Sequence, residues 1–208
     1  MPNGAAAGER DPSLERAQSA AAIPTPEPEH SLHVAELSVQ IFDQLADTLA
    51  LPAGERDLLA AAALWHDAGQ RFTLPEHHLR SFDIIVNQRL LGFDDEDRLA
   101  IANIARYHRQ STPELEHTGY RNLRRERRPL VDRMASILRL AEALDASHLQ
   151  LVERVVATVS PGLVEFDVVA ASYPTIEVER AQARGGLFRR VFRRETSFRW
   201  HRQAPGSA

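Results

Sequence analysis

Between Ser31 and Asp145 apolar residues return at helical spacing in one segment after another, and each stripe begins or ends on a potential metal ligand. Val34, Leu37, Ile41, Leu45 and Leu49 make the first stripe, with Ser31 as a candidate N-cap and His33 one turn before Leu37. Leu51-Pro52-Ala53-Gly54 breaks that helix. A second helix is expected over about Arg56 to Ala68, carrying Leu59, Ala62 and His66 on one face, with Asp67 beside His66 and Gly69 as a C′ stop. Pro75 precedes a third helix over His77 to about Leu90, and Leu91-Gly92-Phe93 reads as a turn. The acidic run Asp94–Asp97 suits a helix N-terminus and opens a fourth helix whose stripe of Ile101, Ile104 and Ala105 ends on His108. Pro129 starts a fifth, where Val131, Met134, Leu138 and Ala141 lead to Asp145.

One histidine at the end of an apolar stripe is ordinarily hydrogen-bonded packing, and one aspartate a cap or an ion-pair partner. That explanation has to be invoked afresh on each helix. Burying an unpartnered carboxylate such as Asp145 would cost several kcal/mol or force its protonation, whereas one shared cation would satisfy every ligand together.

Composition narrows the choice. The 208 residues contain no cysteine, and all 25 basic residues counted as Lys+Arg are arginine. This excludes disulfides, thiolate metal sites and thiol nucleophiles, and also Schiff-base or phosphate-loop lysines. A metal must be held by His, Asp or Glu. Such a ligand set favours one or two divalent transition ions, Mn, Fe, Co or Ni over Mg. A net charge of −4 makes nucleic acid an unfavoured partner.

No apolar run reaches the roughly 18 residues of a membrane span, and no secretory signal is visible, so no membrane partner and a cytoplasmic location are expected. The expected organisation is mainly α. A disordered leader occupies 1–29, a helical domain 30–151, a small α/β appendage 152–202 and a disordered tail 203–208. In the appendage Val155–Val159 and Leu163–Val169 read as strands around Ser160-Pro161-Gly162. A helix follows from Tyr173 to about Arg193, weakened at Gly185-Gly186, then a strand over Thr196–His201. Residues 110–128 read as an Arg-rich loop with short helical pieces. Arginine crowds 121–128 and 180–202; such runs are ordinarily solvated faces, with an anion-binding surface as the alternative. Trp200 is expected to cover the small sheet rather than stack on a base.

The order His33, then Leu64-Trp65-His66-Asp67-Ala68-Gly69, then Asp145 resembles the H…HD…D pattern of HD-domain metal-dependent phosphohydrolases. Longer phrases are similar to the C-terminal half of the exopolyphosphatase / guanosine pentaphosphate phosphohydrolase family. They are His33-Val34-Ala35 with Ile41–Leu45, His77-His78 with Ser81 and Ile84–Asn87, Ile104–Arg109, Ile137–Asp145, and Leu187–Phe192. The likeness covers about residues 30–201, without the family's N-terminal actin-like catalytic domains.

It implies an HD-type helical domain in which Asp67 bridges metals and serves catalysis. His33, His66, His77, His108 and Asp145 complete the ligand set, and His78 is a rival for His77. Arg106, Arg109 and Arg139 would bind phosphate oxygens, unless they pair with the Asp94–Asp97 run. The implied function is hydrolysis of a nucleotide or other phosphorylated small molecule. The alternative is a non-catalytic module binding polyphosphate or a guanosine polyphosphate, beside a separately encoded catalytic partner. A homodimer is compatible with either.

Overall fold

The computed structural model describes residues 11–202, a helical bundle followed by a small α/β unit. The bundle consists of α1 (Pro12–Ala20), α2 (Pro28–Leu49), α3 (Gly54–Trp65), α4 (His77–Val86), α5 (Asp95–Arg106), α6 (Thr118–Arg121) and α7 (Arg128–Ala143), with 3-10 turns at Ala68–Arg71 and Arg125–Arg127. The second unit contains β1 (Val152–Ser160), β2 (Leu163–Ala170), α8 (Thr175–Arg184), α9 (Gly186–Phe192) and β3 (Glu195–Arg202). No helix of the described residues is long and apolar enough to cross a membrane.

The expected disordered leader is corrected by α1. Asp11 caps that helix, accepting the N–H groups of Ser13 at 2.9 Å and Leu14 at 3.2 Å, and Pro12 occupies its first turn. Leu14, Ala17 and Ala20 recur every third residue and are buried in the bundle core against α3. Arg56 of α3 clasps Asp11 at 2.5 and 2.8 Å while holding Asp43 of α2 at 2.6 Å. Residues 1–10 of the leader and the expected tail 203–208 lie outside the described residues.

A second correction concerns Gly69. It lies in the 3-10 turn after α3 and does not adopt a positive φ, so it is no left-handed helix stop. Its role is close approach: a Cβ there would lie 2.2 Å from the His77 carbonyl oxygen and 2.6 Å from the Ser81 nitrogen. The bare backbone lets the turn after Asp67 press onto α4, and the Ser81 hydroxyl accepts the Gly69 N–H at 2.9 Å.

In the second unit β1 and β2 form an antiparallel hairpin around Gly162, whose φ of 78° suits glycine, and β3 joins β2 in parallel. The single helix expected after Tyr173 is two, α8 and α9. Gly185 between them is where β3 comes close, since a Cβ there would sit 2.2 Å from Thr196 Oγ1. The outer edge of β1 is covered by α2: Gln40 and Gln44 bond the backbone of Val155 and Ala157 at 2.8–3.2 Å. That is one way to shield a sheet edge, and it fixes the small sheet to the bundle. Trp200 donates its indole N–H to the Ala170 carbonyl and meets Tyr173 edge-on, closing the end of the sheet.

Candidate metal centre

Asp67 sits between the end of α3 and the 3-10 turn, where the chain leaves helical geometry and turns its carboxylate inward. Four buried histidines face it. The Nε2 atoms of His30 and His66 lie 3.8 and 3.4 Å from Oδ2, and those of His77 and His108 lie 3.1 and 3.6 Å from Oδ1. The two carboxylate oxygens thus each serve one pair of rings, and each trio brings its ligand atoms within 4.8 Å of one another.

The proton positions follow from the partners. The Nδ1 atoms of His66, His77 and His108 face the carbonyls of Ala63, Leu74 and Ala105 at 2.7, 2.8 and 2.7 Å, each three residues earlier. A carbonyl can only accept, so each Nδ1 carries the proton and donates it. His30 Nδ1 faces the Asp145 carboxylate at 2.7 Å, with the same consequence. All four rings therefore turn Nε2 toward Asp67. His77 Nε2 and His108 Nε2 are only 3.1 Å apart, an approach that calls for a proton on one of them or a cation at the junction. Among the described residues, the Nε2 atoms of His30 and His66 and the Oδ1 atom of Asp67 are buried without hydrogen-bond partners. This donor set fits divalent metal ions, and the carbonyl and carboxylate behind each ring are the supports such ligands carry.

Burial opposes ionisation of Asp67, but its interactions with His66, His77 and His108 overcome it and hold the carboxyl well below its usual range. Burial, reinforced by His66, pushes His108 well below the ordinary imidazole range, which keeps its lone pair available. Glu142, one turn before Asp145, is pushed up by burial and ion-paired to Arg184.

Of the ligands expected from sequence, the geometry brings together His66, Asp67, His77 and His108, with Asp145 behind His30 rather than against Asp67. His33 is corrected. Its ring is 13% exposed and lies beside Glu36 at 3.9 Å, outside the cluster, and His30 occupies the first position instead. The reason is that α2 begins at Pro28, not after Ser31, so His30 is already helical and faces α7. His78 is buried with its ring perpendicular to that of His77 and does not join the trio on Oδ1.

Sequence reasoning also missed Gln70, whose amide donates to Asp67 Oδ2, and His148, which stacks on His30 at 3.8 Å and bonds Glu27 at 2.7 Å. The Pro28 helix-start signal could have exposed His30. Nothing local marks Gln70 or His148.

The arginines divide into two groups. The Asp94–Asp97 run pairs with Arg98, Arg124 and Arg127, so two of the five arginines in 121–128 are ion-paired to it. Arg106, Arg109 and Arg139 do not take part in those pairs. Arg106 lies over the Phe82 and Tyr107 rings, and Arg139 donates to the Tyr107 and Ser111 carbonyls at 3.0 and 3.2 Å. Each of the three leaves its Nε without a partner. Burial, with Arg184 and Arg190 nearby, lowers Arg139 to about 10.

The helical bundle carries two buried groups, His30/His66/Asp67 and Asp67/His77/His108, that could hold a metal ion. The family model of the Ppx/GppA phosphatase, domain III, matches residues 16–160, more than half of the chain, and the chain belongs to that family. The match starts inside α1, so residues 16–29 of the expected leader fall within the family domain. Comparison with curated proteins gave no match.

Proposed function

We propose that this chain is a metal-dependent phosphohydrolase of the HD class, acting on a nucleotide or another phosphorylated small molecule. The observation that carries the proposal is the sharing of Asp67, with His30 and His66 on Oδ2 and His77 and His108 on Oδ1. Those five residues would hold the ions, and Asp145 would fix the His30 ring. Bound divalent ions supply a water of lowered pKa and positive charge beside the attacked phosphorus. Arg106, Arg109 and Arg139 would orient the phosphoryl oxygens, for which a planar guanidinium fork is suited. The family membership supports phosphate chemistry in general and leaves the choice between catalysis and regulation to experiment.

A second reading has its own observation. Arg190, Arg193 and Arg194 line a groove of about 770 Å³ with Arg133 and Asp132, a surface suited to holding a polyanion without turnover. A panel of phosphorylated metabolites, assayed with Mn, Co, Ni and Mg on wild type and Asp67→Ala, separates the two. Turnover lost in Asp67→Ala supports the hydrolase. Absence of turnover, with polyphosphate binding that survives Asp67→Ala and fails when Arg190, Arg193 and Arg194 are replaced, supports the binding module instead.

A further inference from the structure

Helix α8 carries Glu177 in its first turn and Arg184 in its last, seven residues apart and so on one face. Both reach out of the α/β unit toward the metal centre. Glu177 is only 1% exposed, and its Oε1 accepts the backbone N–H of Ser147 at 3.1 Å. Ser147 lies in the turn that follows Asp145. Within that turn the His148 N–H bonds the Asp145 carbonyl at 2.9 Å and the Gln150 N–H bonds the Asp145 carboxylate at 2.8 Å. Glu177 therefore anchors the segment that sets Asp145, and through it His30.

At the other end, Arg184 donates to the carbonyl of His108 at 3.2 Å and pairs with Glu142. His108 follows the last turn of α5, where backbone carbonyls lack helical partners. The guanidinium satisfies one of them and ties it to α7. One helix thus grips the backbone beside each half of the Asp67 cluster, one half on Oδ2 and the other on Oδ1. A buried carboxylate and a partly buried guanidinium are costly to place unless their partners hold them. Here the partners are the segments that carry metal ligands and their supports.

We infer that Glu177 and Arg184 are positioning residues and that α8 is a brace between the two halves of the metal centre. The small α/β unit then belongs to the working site rather than hanging from it. Ligand geometry held from behind in this way changes metal affinity by about 10–100-fold when it is lost. The metal arm of the test rests on the proposed metal centre; the hydrogen-exchange arm does not.

The variants are Glu177→Met, which removes the acceptor, Arg184→Met and Arg184→Lys in the full chain. In metal-free protein, amide hydrogen exchange should quicken over residues 145–150 in Glu177→Met and over 106–112 in Arg184→Met, each leaving the other segment as in wild type. Co(II) titration followed by its visible absorption bands reads the second arm. In a His77→Ala background, which keeps the His30/His66 half, Glu177→Met should weaken Co(II) about 10–100-fold and Arg184→Met should not. In a His30→Ala background the order should reverse, with Arg184→Lys restoring part of the loss. Uniform loosening, or unchanged exchange in both variants, overturns the brace. Failure of wild type to take up Co(II) overturns the metal centre and leaves the brace to be decided by exchange.

Discussion

Asp145 and His30 are 115 residues apart in sequence and meet at 2.7 Å, carboxylate oxygen to Nδ1. The contact joins the end of α7 to the first turns of α2 and turns the His30 Nε2 toward Asp67. Asp145 is itself held below the usual carboxylate range: burial raises it, but the His30 and Gln150 hydrogen bonds overcome that. Replacing it with alanine leaves the His30 ring without its fixed tautomer. Asp145→Ala should lower metal affinity by about 10–100-fold, measured by competition with a chelating dye. Unchanged affinity would place Asp145 outside the support of the site.

His30 and His33 differ by less than one helical turn, yet only His30 joins the cluster on Asp67. Elemental analysis of protein expressed with ample transition metal should show less metal per chain in His30→Ala than in wild type. His33→Ala should match wild type. The opposite pattern would restore His33 to the site.

Gly69 lets the turn after Asp67 lie against α4, with the His77 carbonyl where a side chain would begin. Gly69→Ala must push the two backbones apart. Urea unfolding should show a loss of about 1–3 kcal/mol, the range for overpacking a filled site. The same variant should bind metal more weakly, because His77 moves with its carbonyl. Wild-type stability would show that the approach is looser than the distances indicate.

The docking of α1 should depend on pH. The Arg56 hydrogen bond holds Asp11 below its ordinary value of 3.8, against a smaller opposing effect of burial, with help from the Leu14 and Ser13 N–H groups. A folded-state pKa below the unfolded one gives stabilisation that is complete above about pH 4 and is lost as pH falls through the folded value. Hydrogen-exchange protection of residues 13–20, corrected for intrinsic rates, should therefore drop selectively below pH 4. In Arg56→Met that drop should be largely absent. Equal acid sensitivity in both proteins would assign it to Asp57, which accepts from Ser13 Oγ and Arg16 of α1, rather than to the Asp11–Arg56 pair.

The helical stripes were legible because they are long and strongly periodic, and His66-Asp67 and His108 because they terminate those stripes; His77 came from the family resemblance. The sequence hid α1, whose buried face is one leucine and two alanines in a polar segment. Such a stripe is too weak to stand out until α3 is there to cover it. It also left His30 unmarked, since Ser31 competes with Pro28 as a start signal and a one-turn shift changes which histidine faces inward. Gln70, His148 and the grip of α8 on His108 come from tertiary approach, which no local period records.

In the proposed metal centre Asp67 divides its two oxygens between two metal positions. Anomalous diffraction from crystals grown with Mn(II), recorded on both sides of the manganese absorption edge, should show two peaks beside Asp67, one among His30, His66 and Oδ2 and the other among His77, His108 and Oδ1. Manganese bound elsewhere in the chain, with no peak at Asp67, would contradict it.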